Sequence, residues 1–69
     1  PARVIEAVED LENLLEGTIF KGDEYGSYWE KYNGVFWWGN EGLRAEEVFE
    51  WAAEYEMGTL RVIWEPEEA

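Results

Sequence analysis

The chain has 69 residues and a formal net charge of −12, from 17 acids against 5 bases. That length supports one small domain, which buries only about 60% of its unfolded surface. Absence of cysteine and histidine excludes disulfides, thiolate metal sites, the commonest metal ligand and the commonest general base.

Residues 2–16 read as an amphipathic helix. Val4, Ala7, Val8, Leu11, Leu14 and Leu15 recur at helical spacing, with Glu6, Glu9, Asp10, Asn13 and Glu16 on the other side. Gly17 is the expected stop. Glu16 then sits in the last turn, where the helix dipole favours a cation. Residues 18–21 read as a short strand, followed by a connection at 22–26 bracketed by glycines. Asp23, Tyr25 and Ser27 superficially resemble the start of a calcium loop. The acids or amides of its third and fifth positions and the closing glutamate are missing, so neither metal nor other cofactor is expected.

The strongest local signal is Asn33-Gly34, because both central positions of a type I′ turn need φ > 0. A two-residue loop pairs Tyr32 with Val35, Lys31 with Phe36, Glu30 with Trp37 and Trp29 with Trp38. Alternation then gives two aromatic faces. One carries Trp29, Phe36, Trp38 and the stem of Lys31; the other carries Tyr28, Tyr32, Val35 and Trp37 around Glu30.

Residues 39–42 read as a loop. A second helix is expected from Leu43 or Ala45 to about Met57, with an apolar stripe of Ala45, Val48, Phe49, Ala52 and Tyr55 and Gly58 as its stop. Arg44 occupies the N-cap position with Glu47 three residues on, and arginine cannot accept a capping bond. Either Asn40 caps from further back or the first turn frays. Residues 59–64 read as a strand with Leu60, Val62 and Trp64 on one side and Thr59, Arg61 and Ile63 on the other. Pro66 ends it, and 65–69 is an acidic tail expected to fray.

The expected fold is a single α+β domain spanning 1–69, in the order α-β-β-β-α-β. Three strands form an antiparallel meander around the central hairpin. The second helix crosses over and returns a fourth strand parallel to one of them, and both helices pack on one face. No apolar run approaches the ~18 residues of a membrane span, and no basic and apolar leader opens the chain. A soluble, cytoplasmic protein is expected.

Two features bear on function. The first is charge. Glu6 and Asp10, Glu12 and Glu16, and Glu46, Glu50 and Glu54 repeat at four-residue spacing, with Glu47 adjacent. Each like-charged pair costs a helix roughly 0.2–0.5 kcal/mol where an opposite-charge pair would gain as much, so these four pairs together forgo roughly 2 kcal/mol. A domain of this size holds only ~5 kcal/mol of stability. Rows of carboxylates roughly 6 Å apart suit a groove lined by Lys and Arg. The primary expectation is therefore a nucleic-acid mimic that inhibits a basic nucleic-acid-binding protein. Small acidic inhibitors of phages and mobile elements, among them anti-restriction and anti-CRISPR proteins, are similar in size and charge; no motif is shared.

The second feature is the spare aromatic face. Tyr28, Tyr32 and Trp37 around Glu30 suit an arginine or lysine through cation–π contact and ion pairing. The alternative expectation is a module that reads a cationic peptide on this face. A designed or solubility-driven fold with no selected partner also accounts for the composition, although the Trp-rich hairpin and nearly Lys-free helices fit design practice poorly. In both binding readings the partner is a basic protein surface, with no direct nucleic acid, no membrane, and the chain a monomer or homodimer. No enzyme is expected. Ser27, the only serine, has no histidine to activate it, and chance alone places pairs among this many glutamates.

Overall fold

The computed structural model describes residues 3–67. They run in the order β1 (Val4–Ile5), α1 (Val8–Glu12), β2 (Ile19–Gly22), β3 (Trp29–Tyr32), β4 (Val35–Trp38), β5 (Glu41–Leu43), α2 (Ala45–Glu54) and β6 (Leu60–Trp64). The expected helix start at Ala2 and the tail at 68–69 lie outside the described residues. The strands form one six-stranded sheet in the order β1-β6-β2-β3-β4-β5, antiparallel at every junction. The fold is α+β, with both helices against one face of the sheet.

The central hairpin has the register of a two-residue loop. Trp29 pairs with Trp38, Glu30 with Trp37, Lys31 with Phe36 and Tyr32 with Val35. Asn33 (φ 56°) and Gly34 (φ 74°) make the turn. The inward face supplies Trp29 and Phe36 to the core, where Phe20 stacks on Trp29 at 5.7 Å and Trp29 on Trp38 at 5.8 Å. Trp51 meets Trp38 edge-on from α2. The aromatics thus form a column that a core of this size could not match with aliphatics alone.

Four expectations need correction. Helix 2–16 reduces to α1, preceded by β1, because Asp10 turns its carboxylate back onto the N–H groups of Glu6 (2.9 Å) and Ala7 (3.0 Å). That bond ends the helix at Ala7, and the β-branched pair Val4-Ile5 joins β6 instead. At the other end, Lys31 Nζ donates to the carbonyls of Leu11 (3.2 Å), Glu12 (2.9 Å) and Leu14 (2.8 Å). The first two are the acceptors that a longer helix would give to Leu15 and Glu16. Glu16 is no misfit either. Released from the helix, its carboxylate accepts the N–H groups of Asn33 and, at 2.9 Å, Gly34.

The second correction is the fourth strand of the sheet. Gly39, at φ 63°, and Asn40 form a further two-residue turn, so that Trp38 pairs with Glu41 and Phe36 with Leu43. Glycine at the first central position suits a type II′ turn. The extra reversal starts α2 from the opposite end of the sheet, and β6 therefore runs antiparallel to β2, not parallel to any neighbour.

Third, α2 is capped neither by Asn40 nor left to fray. Glu47 Oε1 accepts the Arg44 N–H at 2.8 Å, the returning half of a capping box that needs no acceptor on Arg44. The helix also stops before Met57. Glu56 N–H bonds the Ala53 carbonyl and Met57 N–H that of Ala52, a Schellman stop with Glu56 at φ 51° in the position that usually holds glycine.

Fourth, Trp64 does not share a face with Leu60 and Val62. A register shift opposite Ile19 and Phe20 pairs Phe20 with Val62 but Ile19 with Trp64. The bulge carries Trp64 to the face away from the helices.

Replacing Lys31 with methionine keeps the stem and strands the carbonyls of Glu12 and Leu14, while Leu11 keeps the Leu14 N–H as a donor. We expect a loss of about 3 kcal/mol, measured as a lower urea midpoint at unchanged slope. Glu56→Gly should stabilise by about 1 kcal/mol, because glycine takes the left-handed stop without a Cβ clash, and the midpoint should rise.

Candidate functional site

With the helices on one side, the opposite face of the sheet is open. Cross-strand partners share a face, so the pairings Trp64–Ile19, Ile19–Glu30, Glu30–Trp37 and Trp37–Gly42 trace one continuous row across β6, β2, β3, β4 and β5. Tyr28, just before β3, and Tyr32, at its end, flank the row, exposed at 62% and 64%, and Ile63 and Trp64 extend it on β6, with Trp64 57% exposed. Contiguous exposure of this kind is unlike the scattered apolar residues of an ordinary surface.

Trp37 has a defined pose. Its Nε1 donates to the Tyr32 carbonyl on β3 at 3.3 Å. The far edge of its ring lies over Gly42 on β5, where an added Cβ would sit 2.9 Å from Cη2 and Cζ3. The indole therefore spans three strands, held by β3 at its N–H and seated against β5 at its far edge, and it is 36% exposed. Gly42 is glycine because the ring needs that space.

Beside it, Ile19, Tyr28, Trp29, Glu30, Trp37 and Gly39 line a shallow hollow of ≈ 380 Å³. Glu30 is its one carboxylate, and among the described residues no cation lies within ion-pairing distance of it. The neighbouring cations are occupied differently. Arg61 Nε donates to both oxygens of Asp23 (3.1 and 2.9 Å), which also commits the acid of the calcium-like stretch. Lys21, half-buried, reaches only the Gly22 carbonyl at 3.4 Å. Chemically the hollow offers a charge and flat apolar walls.

Tyr28, Glu30, Tyr32 and Trp37 are thus brought together. The acidic residues are not. Glu46, Glu50 and Glu54 form an exposed row on α2, but that helix covers the opposite face of the sheet. Glu47 is engaged by the Arg44 N–H and, at 3.5 Å, by the Arg44 side chain, whose guanidinium also lies 3.8 Å from Glu46. Asp10 caps α1 and lies with Glu6 at the β1–α1 corner, where Glu6 precedes the helix. No four-residue acidic pair falls within α1.

Sequence reasoning did not assign Ile19, Ile63 or Trp64 to this surface. The available signal was the run Val62-Ile63-Trp64, three large apolar residues where a half-exposed strand should alternate. No protein-family model matches the chain, and no curated protein or solved structure matches it.

Gly42→Ala should lift the Trp37 ring from the sheet. We expect the Trp37 indole N–H to exchange faster with solvent in NMR spectra, while the buried indole of Trp29 is unchanged.

Proposed function

We propose that this protein is a non-enzymatic binding module whose open sheet face receives a cationic segment of a partner protein. The observation that carries this reading is Glu30, an exposed, unpaired carboxylate between aromatic rings at the middle of an apolar row. A cation placed there gains an ion pair of about 0.2–1 kcal/mol and a cation–π contact of about 0.5–2 kcal/mol. Burial of the flanking Tyr and Trp adds the larger apolar contribution, at roughly 25 cal/mol per Å².

The net charge supports the same choice of occupant. A second copy of the chain would bring −12 against −12. Among the described residues, only Lys21 on this face could answer Glu30 without leaving a carboxylate partner. A basic segment meets no such opposition, and the overall field draws it in.

Nucleic-acid mimicry is the second reading, favoured by the exposed row Glu46, Glu50 and Glu54. That row spans about 12 Å, and the matching row expected on the first helix does not form. It also lies behind the sheet. The shortest dimension of the domain is 20 Å, about two and a half Debye lengths at physiological salt, so the α2 carboxylates act on the open face only weakly.

The readings separate in an NMR titration of isotopically labelled protein with a capped peptide alternating Arg, Lys and Ala. Shifts at Ile19, Glu30 and Trp37 are expected, lost on Trp37→Ala with at least about tenfold weaker binding and retained when Glu46, Glu50 and Glu54 are all changed to Lys. Shifts confined to α2, abolished by the triple change, would favour the mimic and remove the sheet-face reading.

A further inference from the structure

Resting on that reading, we infer that the open face selects arginine over lysine, the guanidinium lying flat on Trp37 while pairing with Glu30. Three observations lead there. The first is the pose of the indole. Pinned by the Tyr32 carbonyl and seated on Gly42, it presents a fixed, flat π-face. A planar ion can cover such a surface, whereas an ammonium touches it at a point and keeps more of its hydration.

Glu30 supplies the second observation. It stands directly opposite Trp37 in the β3–β4 pair, with Cβ atoms roughly 4.5–5.5 Å apart. A guanidinium stacked on the ring edge nearest β3 brings its fork of N–H donors to the carboxylate, which accepts two in parallel. The carboxylate has no competing partner among the described residues.

The shape of the hollow is the third. A cage for a methylated ammonium surrounds the ion with rings. This hollow instead sets Ile19, Tyr28 and Trp37 beside a single carboxylate, Glu30, and is open to solvent. A flat ion can enter it and lie on the indole. Because Trp37 is already ordered, stacking on it costs little further side-chain entropy.

The test compares two capped peptides of equal length and charge, one of alternating Gly and Arg, the other of alternating Gly and Lys. Affinity is read from the Glu30 amide and the Trp37 indole N–H in NMR titrations at fixed salt. The arginine peptide should bind about tenfold more tightly. Trp37→Leu should weaken the arginine peptide far more than the lysine peptide, bringing the ratio to about one. Gly42→Ala, which keeps the indole but displaces it from the sheet, should do the same, because the preference depends on where the ring is held and not only on its presence. Equal affinities for the two peptides, or a preference that survives Trp37→Leu, would overturn arginine selection and leave a cation-binding face standing. If neither peptide binds, the binding face itself is refuted, and arginine selection with it.

Discussion

One buried ammonium organises this small domain. Lys31 lies on the inward face of the hairpin, 8% exposed, with all its donors on the carbonyls that end α1 and its charge 5.6 Å from the centre of the Phe36 ring. Taking an ammonium out of water costs several kcal/mol, so such an ion stabilises only if its donors are satisfied. Here they are, and the bond runs in both directions. Glu16, just past α1, holds the turn of the hairpin through Asn33 and Gly34, while the backbones of Lys31, Gly17 and Thr18 exchange hydrogen bonds between them. A slip of one residue in the β3 register would turn Lys31 to solvent and leave the carbonyls of Glu12 and Leu14 without a donor. It would also carry Glu30 inward. The same ion that stops the helix thus decides which aromatic face is open.

That locking changes how the negative charge is read. In the sequence, acidic residues at four-residue spacing look like a sacrifice of stability. In the folded chain several have local roles. Asp10 caps the start of α1, Glu16 closes a turn, Glu47 caps α2 and Asp23 holds Arg61. Helical repulsion remains only between Glu46, Glu50 and Glu54, so the forgone stability is about half of what the spacing suggested. Surface charge without a local role still confers solubility and a long-range field. What distinguishes Glu30 is its setting, an unpaired acid among rings.

The hairpin, its register and its two faces are legible in the sequence because Asn33-Gly34 permits one turn geometry, and alternation does the rest. The second helix is legible from its stripe. The first helix is not, because the same spacing of Val4, Val8 and Leu11 fits a strand, a bend and a short helix once a distant lysine claims the carbonyls. Local periodicity carries no information about that lysine. The strand at Glu41–Leu43 carries a sequence signal in Gly39-Asn40, a hairpin dipeptide between pairing segments, and the reversal it adds sets the direction of β6. The bulge that brings Trp64 beside Ile19 depends on how two strands of different curvature meet, which neither strand specifies alone. The aromatic half of the candidate site was therefore readable from one hairpin, while its extension onto β2 and β6 was not.

An open aromatic row on a domain of this size would ordinarily favour association with almost any apolar surface. Glu30 restricts it. Burying a carboxylate without a partner costs several kcal/mol, comparable to what two or three large side chains gain on leaving water, about 1.5–3 kcal/mol each. A neutral surface, or a second copy facing its own glutamate, gains the apolar contact and loses it again to that desolvation. An occupant that brings a cation to the same point removes the penalty and keeps the gain. On the proposed reading, the position of a single charge, at the middle of the row and not at its rim, is what would turn a sticky face into a selective one.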